Sequence, residues 1–285
     1  MHEHEIREIT RDCALYPKEW QTLFDAPQTL YALGDTSLLT ARKFTVVGSR
    51  KTPVSACKIG KEICKDLSKS FTLVTGTADG GDGAAIEGAL LGSGKIICLL
   101  AGGFANIPQN NLPLLEAVAK RGLLLSPHSY DTPVRAFSYE YRNKLLAHLG
   151  EGTLVLGAGE KSGALITAKY AKQAGKPVFA LPYAPGSFAG AGCNALLKKG
   201  GYLTENSVDI FDRFGINWIE KKSEIALTAD EETLLNALKT LSEGHISEIA
   251  ANAGIPVFKA RAILSALEVK GVAANLGGNR YAPVQ

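Results

Sequence analysis

Long hydrophobic runs are missing from this 285-residue chain. The longest, at 96–101 and 123–125, fall far short of the roughly 20 apolar residues that a membrane-spanning helix needs. The first residues are acidic and polar, which is not the pattern of a signal peptide. We therefore expect no membrane partner.

Cysteine is scarce and catalytic motifs are absent. The five cysteines are scattered, with no C-x-x-C pair, which excludes a zinc knuckle or a disulfide framework and predicts a reducing, cytoplasmic location. The five histidines show no metal-ligand spacing, and there is no G-x-S-x-G nucleophile turn. We expect a site that binds rather than reacts, with no catalytic residue, no metal and no cofactor.

Charge is unevenly distributed along the chain, although its formal net value is only +3. Residues 1–40 hold 3 Lys and Arg against 7 Asp and Glu, and residues 217–285 hold 7 against 8. Residues 41–216 hold 21 against 13, so the basic excess lies in this middle segment. An excess of this kind favours a polyanionic partner, although solvated lysine faces on surface helices give similar sums.

Short aliphatic runs alternate with helical patterns through the middle of the chain. We predict strands at 44–47, 71–75, 95–100, 122–125, 153–157 and 177–181. Helices are predicted at about 54–69, 81–92, 111–121, 136–149 and 162–174. Apolar strands with intervening helices predict an α/β fold, a doubly wound, Rossmann-like parallel sheet whose ligand lies at the carboxyl ends of the strands.

The segments before and after this α/β region lack its alternation of apolar strands and helices. Residues 1–40 are interpreted as a helical preface to the 41–216 core, and 217–227 as a polar linker. From 228 to 285 we expect three helices followed by a hairpin with a Gly-Gly turn, a small winged-helix-like domain.

Two strand-to-helix turns are rich in glycine. Gly48, Ser49 and Arg50 follow the first predicted strand, where free N–H groups at a helix start and the Arg50 fork suit a phosphate. A tight structural turn is an equally good interpretation. Gly76 and Gly80 lie in the second turn, which has neither dinucleotide-binding nor Walker spacing.

Cations and aromatics accompany two later helix starts. Phe137 precedes Arg142, Asn143 and Lys144, a mixture that suits single-stranded nucleic acid, although helical spacing also allows core positions for the aromatics. A second helix start offers hydroxyl and N–H groups for a phosphate, or simply an N-cap. The residues at this helix start are Lys161, Ser162, Gly163, Thr167 and Lys169. A later motif adds the side-chain amide of Asn194.

Taken together and in this order, these motifs resemble the DNA-processing protein A family (DprA, also called Smf). The resemblance implies an extended Rossmann-like core that binds single-stranded DNA, forms a homodimer and helps to load a RecA-type recombinase during natural transformation. It places on the strand-binding side Gly48, Ser49, Arg50, Arg142, Asn143, Lys144, Ser162, Gly163, Thr167 and Asn194, with a base contact at Phe137.

Departures from the family pattern leave other functions open. Asp79 stands where the family usually has a basic residue, and an acid there repels phosphates. A nucleotide-binding sensor or nucleotide hydrolase on the same fold is therefore the alternative. In a third interpretation the C-terminal domain reads duplex DNA, but its acidic balance favours protein contact.

Overall fold

The computed structural model describes residues 5–218 and 227–284. The chain divides into two compact units, residues 1–218 and 219–285. The first unit contains a nine-stranded sheet in the order β1-β2-β6-β5-β4-β3-β7-β8-β9. Its strands are β1 Arg7–Thr10, β2 Thr29–Gly34, β3 Lys43–Val47, β4 Thr72–Thr75, β5 Ile96–Leu99, β6 Leu123–Ser126, β7 Thr153–Val155, β8 Val178–Ala180 and β9 Tyr202–Leu203. Its helices are α1 Val54–Ser70, α2 Gly81–Leu91, α3 Leu112–Arg121, α4 Ala136–Leu149, α5 Gly163–Gln173, α6 Ala191–Lys198 and α7 Val208–Arg213.

Strands β3 to β9 run parallel and are sandwiched between helices. Strand β5 contributes to the hydrophobic core on each face of the sheet. Ile97 and Leu99 pack with residues of α4 and α5, whereas Ile96 and Cys98 pack with residues of α1 and α2. Burial on both faces explains why these strands read as continuous apolar runs. The doubly wound α/β prediction is confirmed, and α6, α7 and β9 are elements that it omitted.

The helical preface predicted for residues 1–40 is wrong. That segment forms β1 and β2 with two short 3-10 turns, and both strands pair antiparallel, which makes the sheet mixed rather than wholly parallel. In β2 the buried residues Leu30 and Ala32 alternate with more exposed neighbours, the pattern of a strand with one buried face. Trp20 is fully buried, and its indole N–H donates to the Leu145 carbonyl at 3.0 Å. The preface is therefore part of the core.

The second unit is a small helical domain with its own sheet. It comprises α8 Ala229–Leu241, β10 Gly244–His245, α9 Ile246–Ala253, α10 Val257–Val269, β11 Ala273–Gly277 and β12 Arg280–Pro283. The β11–β12 turn uses positive φ at Gly278 and Asn279, the backbone that a tight hairpin requires. Three helices and a hairpin are the elements expected here, and their assignment to the winged-helix class stays a prediction. Most of the predicted linker lies outside the described residues.

No helix in the described ranges has the length and apolar character needed to cross a bilayer.

Candidate functional site

The candidate site lies where the strand order reverses. From β3 the chain continues through β4, β5 and β6 on one side, and β7 begins the other side. Ligands of doubly wound folds bind at the carboxyl ends of the strands next to this reversal. A cavity of about 360 Å³ is found there, within the usual range for a small-molecule pocket. We call it the switch-point cavity; its walls include Gly48, Ser49, Arg50, Ala78, Asp79, Asp82, Tyr139, Arg142, Asn143, Ser162, Gly163 and Thr167.

Glycine brings two walls of the cavity into backbone contact. A Cβ atom added at Gly81 would lie 2.4 Å from the Gly48 Cα, which no side chain could accommodate without moving the loop. The Gly81 N–H donates to the Ser49 carbonyl at 3.2 Å, and Gly80 has a φ of +74°. The glycine-dense second turn is therefore needed to seat the start of α2 against the β3–α1 loop.

Asp82 is a buried acceptor rather than a charge presented to a ligand. Its side chain is 4% exposed, and its two carboxylate oxygens accept the Gly48 N–H at 3.1 Å and the Ala78 N–H at 3.2 Å. A Cβ atom added at Gly76 would lie 2.4 Å from both the Asp82 Oδ2 and the Arg142 Nη1, so this glycine makes room for the pair. Burial raises the pKa of Asp82, opposed by the Arg142 charge and the two N–H donors. Of the two acids in this turn, Asp79 is the exposed one.

Arg142 and Asn143 continue the same network. Arg142 is 6% exposed; its Nε donates to the Asn143 Oδ1 at 3.0 Å and its Nη1 to the Leu99 carbonyl at 3.1 Å. The Asn143 amide donates to the Gly163 carbonyl at 3.1 Å. Burial lowers the pKa of Arg142, and the Asp82 carboxylate acts against that shift. The network joins the ends of β3, β4 and β5 to α4 and α5, so Arg142 and Asn143 hold the cavity walls in position.

The polar groups left for a ligand lie on the β3–α1 loop and at the start of α5. The Arg50 side chain is exposed and makes no ion pair or hydrogen bond within the described residues. Ser162 caps α5 by accepting the Ala164 N–H at 3.3 Å, and the helix dipole there favours an anion. The Thr167 hydroxyl, which lines the cavity, is fully buried and has no hydrogen-bond partner among the described residues. We call Arg50 and the N-terminus of α5 the anion seat, because a cation and a helix N-terminus both attract an anion such as phosphate, whereas the Thr167 hydroxyl is buried from solvent.

Seven of the predicted site residues do not line the switch-point cavity: Gly76 and Gly80, which shape the second turn, and five residues that lie elsewhere. Lys144 pairs with Asp25 at 2.6 Å, and the Asn194 amide bonds both backbone groups of Tyr183, at 3.1 and 2.9 Å. Phe137 is exposed at the start of α4, Lys161 lines an adjoining cavity and Lys169 lines a groove beyond α5. Their contacts with a ligand stay predictions.

Two aromatic residues near the cavity were missed by sequence reasoning. Tyr139 lines it, with the Arg142 guanidinium 5.9 Å from the ring centre. Phe188 is 80% exposed on the loop between β8 and α6, beside Ser49 and Ser162. The available signals were the second ring of the Phe137-Ser138-Tyr139 motif and a lone aromatic in a Pro-Gly-Ser-Phe-Ala-Gly turn.

The described residues contain no group of three or more His, Cys, Asp or Glu arranged to hold a metal. Burial raises the pKa of Cys193 to about 12, which keeps that thiol protonated and unreactive.

Comparisons with known proteins find relatives that match most of the first unit. The family model described as DNA recombination-mediator protein A matches residues 7–215. The chain is 34% identical over 213 residues to the DNA processing protein DprA of Bacillus subtilis, covering 74% of this chain and 72% of the relative.

Two solved structures share the fold. DNA processing protein A from Streptococcus pneumoniae aligns with a TM-score of 0.70 and 29% identity over 74% of this chain and 75% of the other. DNA processing protein A from Helicobacter pylori aligns with a TM-score of 0.68 and 29% identity over 75% and 98%, and that structure is described as showing a unique single-stranded DNA binding mode.

Proposed function

This chain belongs to the DNA recombination-mediator protein A family, and on that premise we propose that it binds single-stranded DNA, independent of sequence, at the switch-point cavity. The observation that carries the proposal is the anion seat: the Arg50 cation, which has no ion-pair partner among the described residues, and the N-terminus of α5 line one cavity. A phosphate of the DNA backbone fits these donors, which carry no information about base identity.

An aromatic ring in the cavity wall distinguishes a nucleic acid from a simple anion. Tyr139 lines the cavity and is exposed, whereas Phe137, two residues earlier on α4, is exposed outside it. Unstacked bases of a single strand pack on such rings while the neighbouring phosphates meet cations. In this role Asp82, Arg142 and Asn143 position the loops, and Arg50 contacts the phosphate.

Fluorescence anisotropy with labelled oligo-dT at two salt concentrations tests the proposal. Arg50→Ala removes a charge-assisted hydrogen bond, and we expect the Kd to rise about 10- to 100-fold. The salt dependence of log K should also fall by about 0.7, the contribution of one phosphate in a single strand.

Lys120→Ala is the matched control, because Lys120 is exposed in the last turn of α3, which leads into the amino end of β6, whereas the cavity lies at the carboxyl ends of the strands. Absence of oligo-dT binding at low salt, or equal affinity of Arg50→Ala and the native chain, refutes the proposal.

A nucleotide-binding sensor is the second candidate, supported by the cavity volume of about 360 Å³. Mononucleotides added as competitors decide between the two. DNA binding over the cavity predicts weak competition, whereas a sensor binds the mononucleotide more tightly than an oligonucleotide. A ligand at 100 times its Kd would then stabilise the chain by about 2.7 kcal/mol.

The remaining parts of the proposal rest on the family alone. We propose that the chain acts without catalysis, helps to load a RecA-type recombinase, forms a homodimer and is located in the cytoplasm. For the C-terminal unit we propose protein contact, because its charge is close to balanced. Sedimentation and pull-down with a RecA-type recombinase test the dimer and the partner separately.

A further inference from the structure

A second cavity adjoins the switch-point cavity on the β8 side. It has a volume of about 460 Å³ and shares Ser49 and Ser162 with the first. Its remaining walls come from Lys51, from the segment 159–161 and from the loop that carries Phe188. The two shared serines make the surface continuous, so a strand lying in the first cavity can extend into the second.

Phe188 presents its ring to solvent from a well-defined loop. The Ser187 N–H donates to the Ala184 carbonyl at 3.1 Å and the Gly190 N–H to the Ser187 carbonyl at 3.2 Å, closing turns on both sides. The ring edge lies over Gly159, where an added Cβ would be 3.8 Å from the Phe188 Cε1. A large aromatic that is 80% exposed gains little from the protein core, but it offers a face to a ligand.

Charge around this ring favours an anionic ligand. Lys51 and Lys161 are exposed, and the ammonium group of neither makes an ion pair or a hydrogen bond with any described residue. The Lys51 backbone N–H donates to the Ser49 Oγ at 3.0 Å. Glu160 is the acidic residue in the same wall. With Arg50 next to Lys51, cations outnumber carboxylates along the path between the cavities.

We propose that Phe188, Lys51 and Lys161 form a second nucleotide subsite, the Phe188 shelf, in which a base stacks on the ring and its flanking phosphates meet the two lysines. The inference rests on the proposed function, because it extends the path of the same single strand. Base–aromatic stacking tolerates any base, so the shelf adds affinity without sequence preference.

The test compares Phe188→Ala with Phe24→Ala by anisotropy, using oligo-dT and an oligonucleotide of equal length with abasic sites. Phe24 is fully exposed and lines neither cavity, which makes it the matched control. We expect Phe188→Ala to weaken oligo-dT binding by about fivefold or more, the lower end of the range for one stacked base. The abasic strand should bind the variant and the native chain equally, and Phe188→Trp should retain affinity for oligo-dT.

The outcomes separate this inference from the proposed function. If the native chain binds oligo-dT and Arg50→Ala weakens it but Phe188→Ala does not, the shelf is refuted and the function stands. Equal losses on oligo-dT and the abasic strand also refute stacking, since they indicate a structural effect of the variant. Absence of binding by the native chain overturns both.

Discussion

Asp82→Asn is the substitution that most directly tests how the site is held together. The carboxylate accepts backbone N–H groups from Gly48 and Ala78 and lies beside the buried guanidinium of Arg142. Asparagine keeps the shape but has only one acceptor oxygen, so one of the two backbone donors would face an NH₂ group. The substitution also leaves Arg142 without its buried counter-charge.

The magnitude follows from these losses. An unsatisfied buried donor costs about 1–3 kcal/mol. Loss of the Asp82 charge also removes a favourable electrostatic interaction with Arg142, although the two side chains are not in direct ion-pair contact. Arg142 keeps its bonds to Asn143 and Leu99, so we expect a loss of about 2 kcal/mol, set mainly by the unsatisfied backbone donor. That is a large fraction of the roughly 5–15 kcal/mol by which domains are stable.

Urea unfolding followed by tryptophan fluorescence measures this effect. The chain has two tryptophans, Trp20 and Trp218, and both belong to the first unit, so the signal reports on that unit alone. For an m-value of about 3 kcal/mol/M, the midpoint should fall by about 0.7 M. A second variant, Asp82→Asn with Arg142→Gln, should lose less than the sum of the single variants, because no unpaired charge remains buried. An Asp82→Asn midpoint equal to that of the native chain would refute the network.

Three further expectations follow from other side chains. Asp79→Asn, in the same turn, should change the free energy of unfolding by less than about 0.5 kcal/mol. It should also strengthen oligo-dT binding by up to about fivefold, equivalent to about 1 kcal/mol, and weaker binding would contradict the repulsion. The hydrogen bond from Lys144 lowers the pKa of Asp25, so this pair stabilises the chain above the ordinary Asp pKa and the effect is lost as pH falls through the lowered value. Asp25→Asn should therefore cost less than about 1 kcal/mol at pH 7 and nothing in strong acid, and a cost that persists at pH 2 would exclude the ion pair as its source. Ellman's reagent should react in the native chain with Cys13 and Cys57 at most, and rapid modification of a third thiol would contradict the burial. The thiols that react only after unfolding should be Cys64, Cys98 and Cys193.

The middle of the fold could be predicted from the sequence because its strands are buried on both faces. Each reads as an apolar run bounded by turn residues, and the observed bounds lie within two residues of the predicted ones. β1 and β2 gave no such run, since each has one buried face and few residues. The alternation of Leu30 and Ala32 is too short to predict a strand. The helix was predicted from the pattern around Tyr16, Pro17 and Trp20, where the structure has only a 3-10 turn.

The site was predictable in position but not in the role of each residue. Strand–turn–helix order places Gly48 and Ser162 at the same edge of the sheet, and the structure brings both into one cavity. Whether a cation faces solvent or a buried carboxylate depends on residues distant in sequence. Arg142 and Arg50 look alike in the sequence, yet Arg142 is buried and bonded to Asn143 and the Leu99 carbonyl, whereas Arg50 is exposed.

The N-terminal strand pair also constrains the order in which the chain can fold during synthesis. Trp20 bonds a carbonyl 125 positions further along the chain, and β2 pairs with β6. A ribosome releasing the chain from its N-terminus exposes this segment long before its partners exist. Such long-range pairing slows folding, so these residues emerge before β6 but dock late. Until β6 emerges, these early strands are open to pairing with the wrong chain.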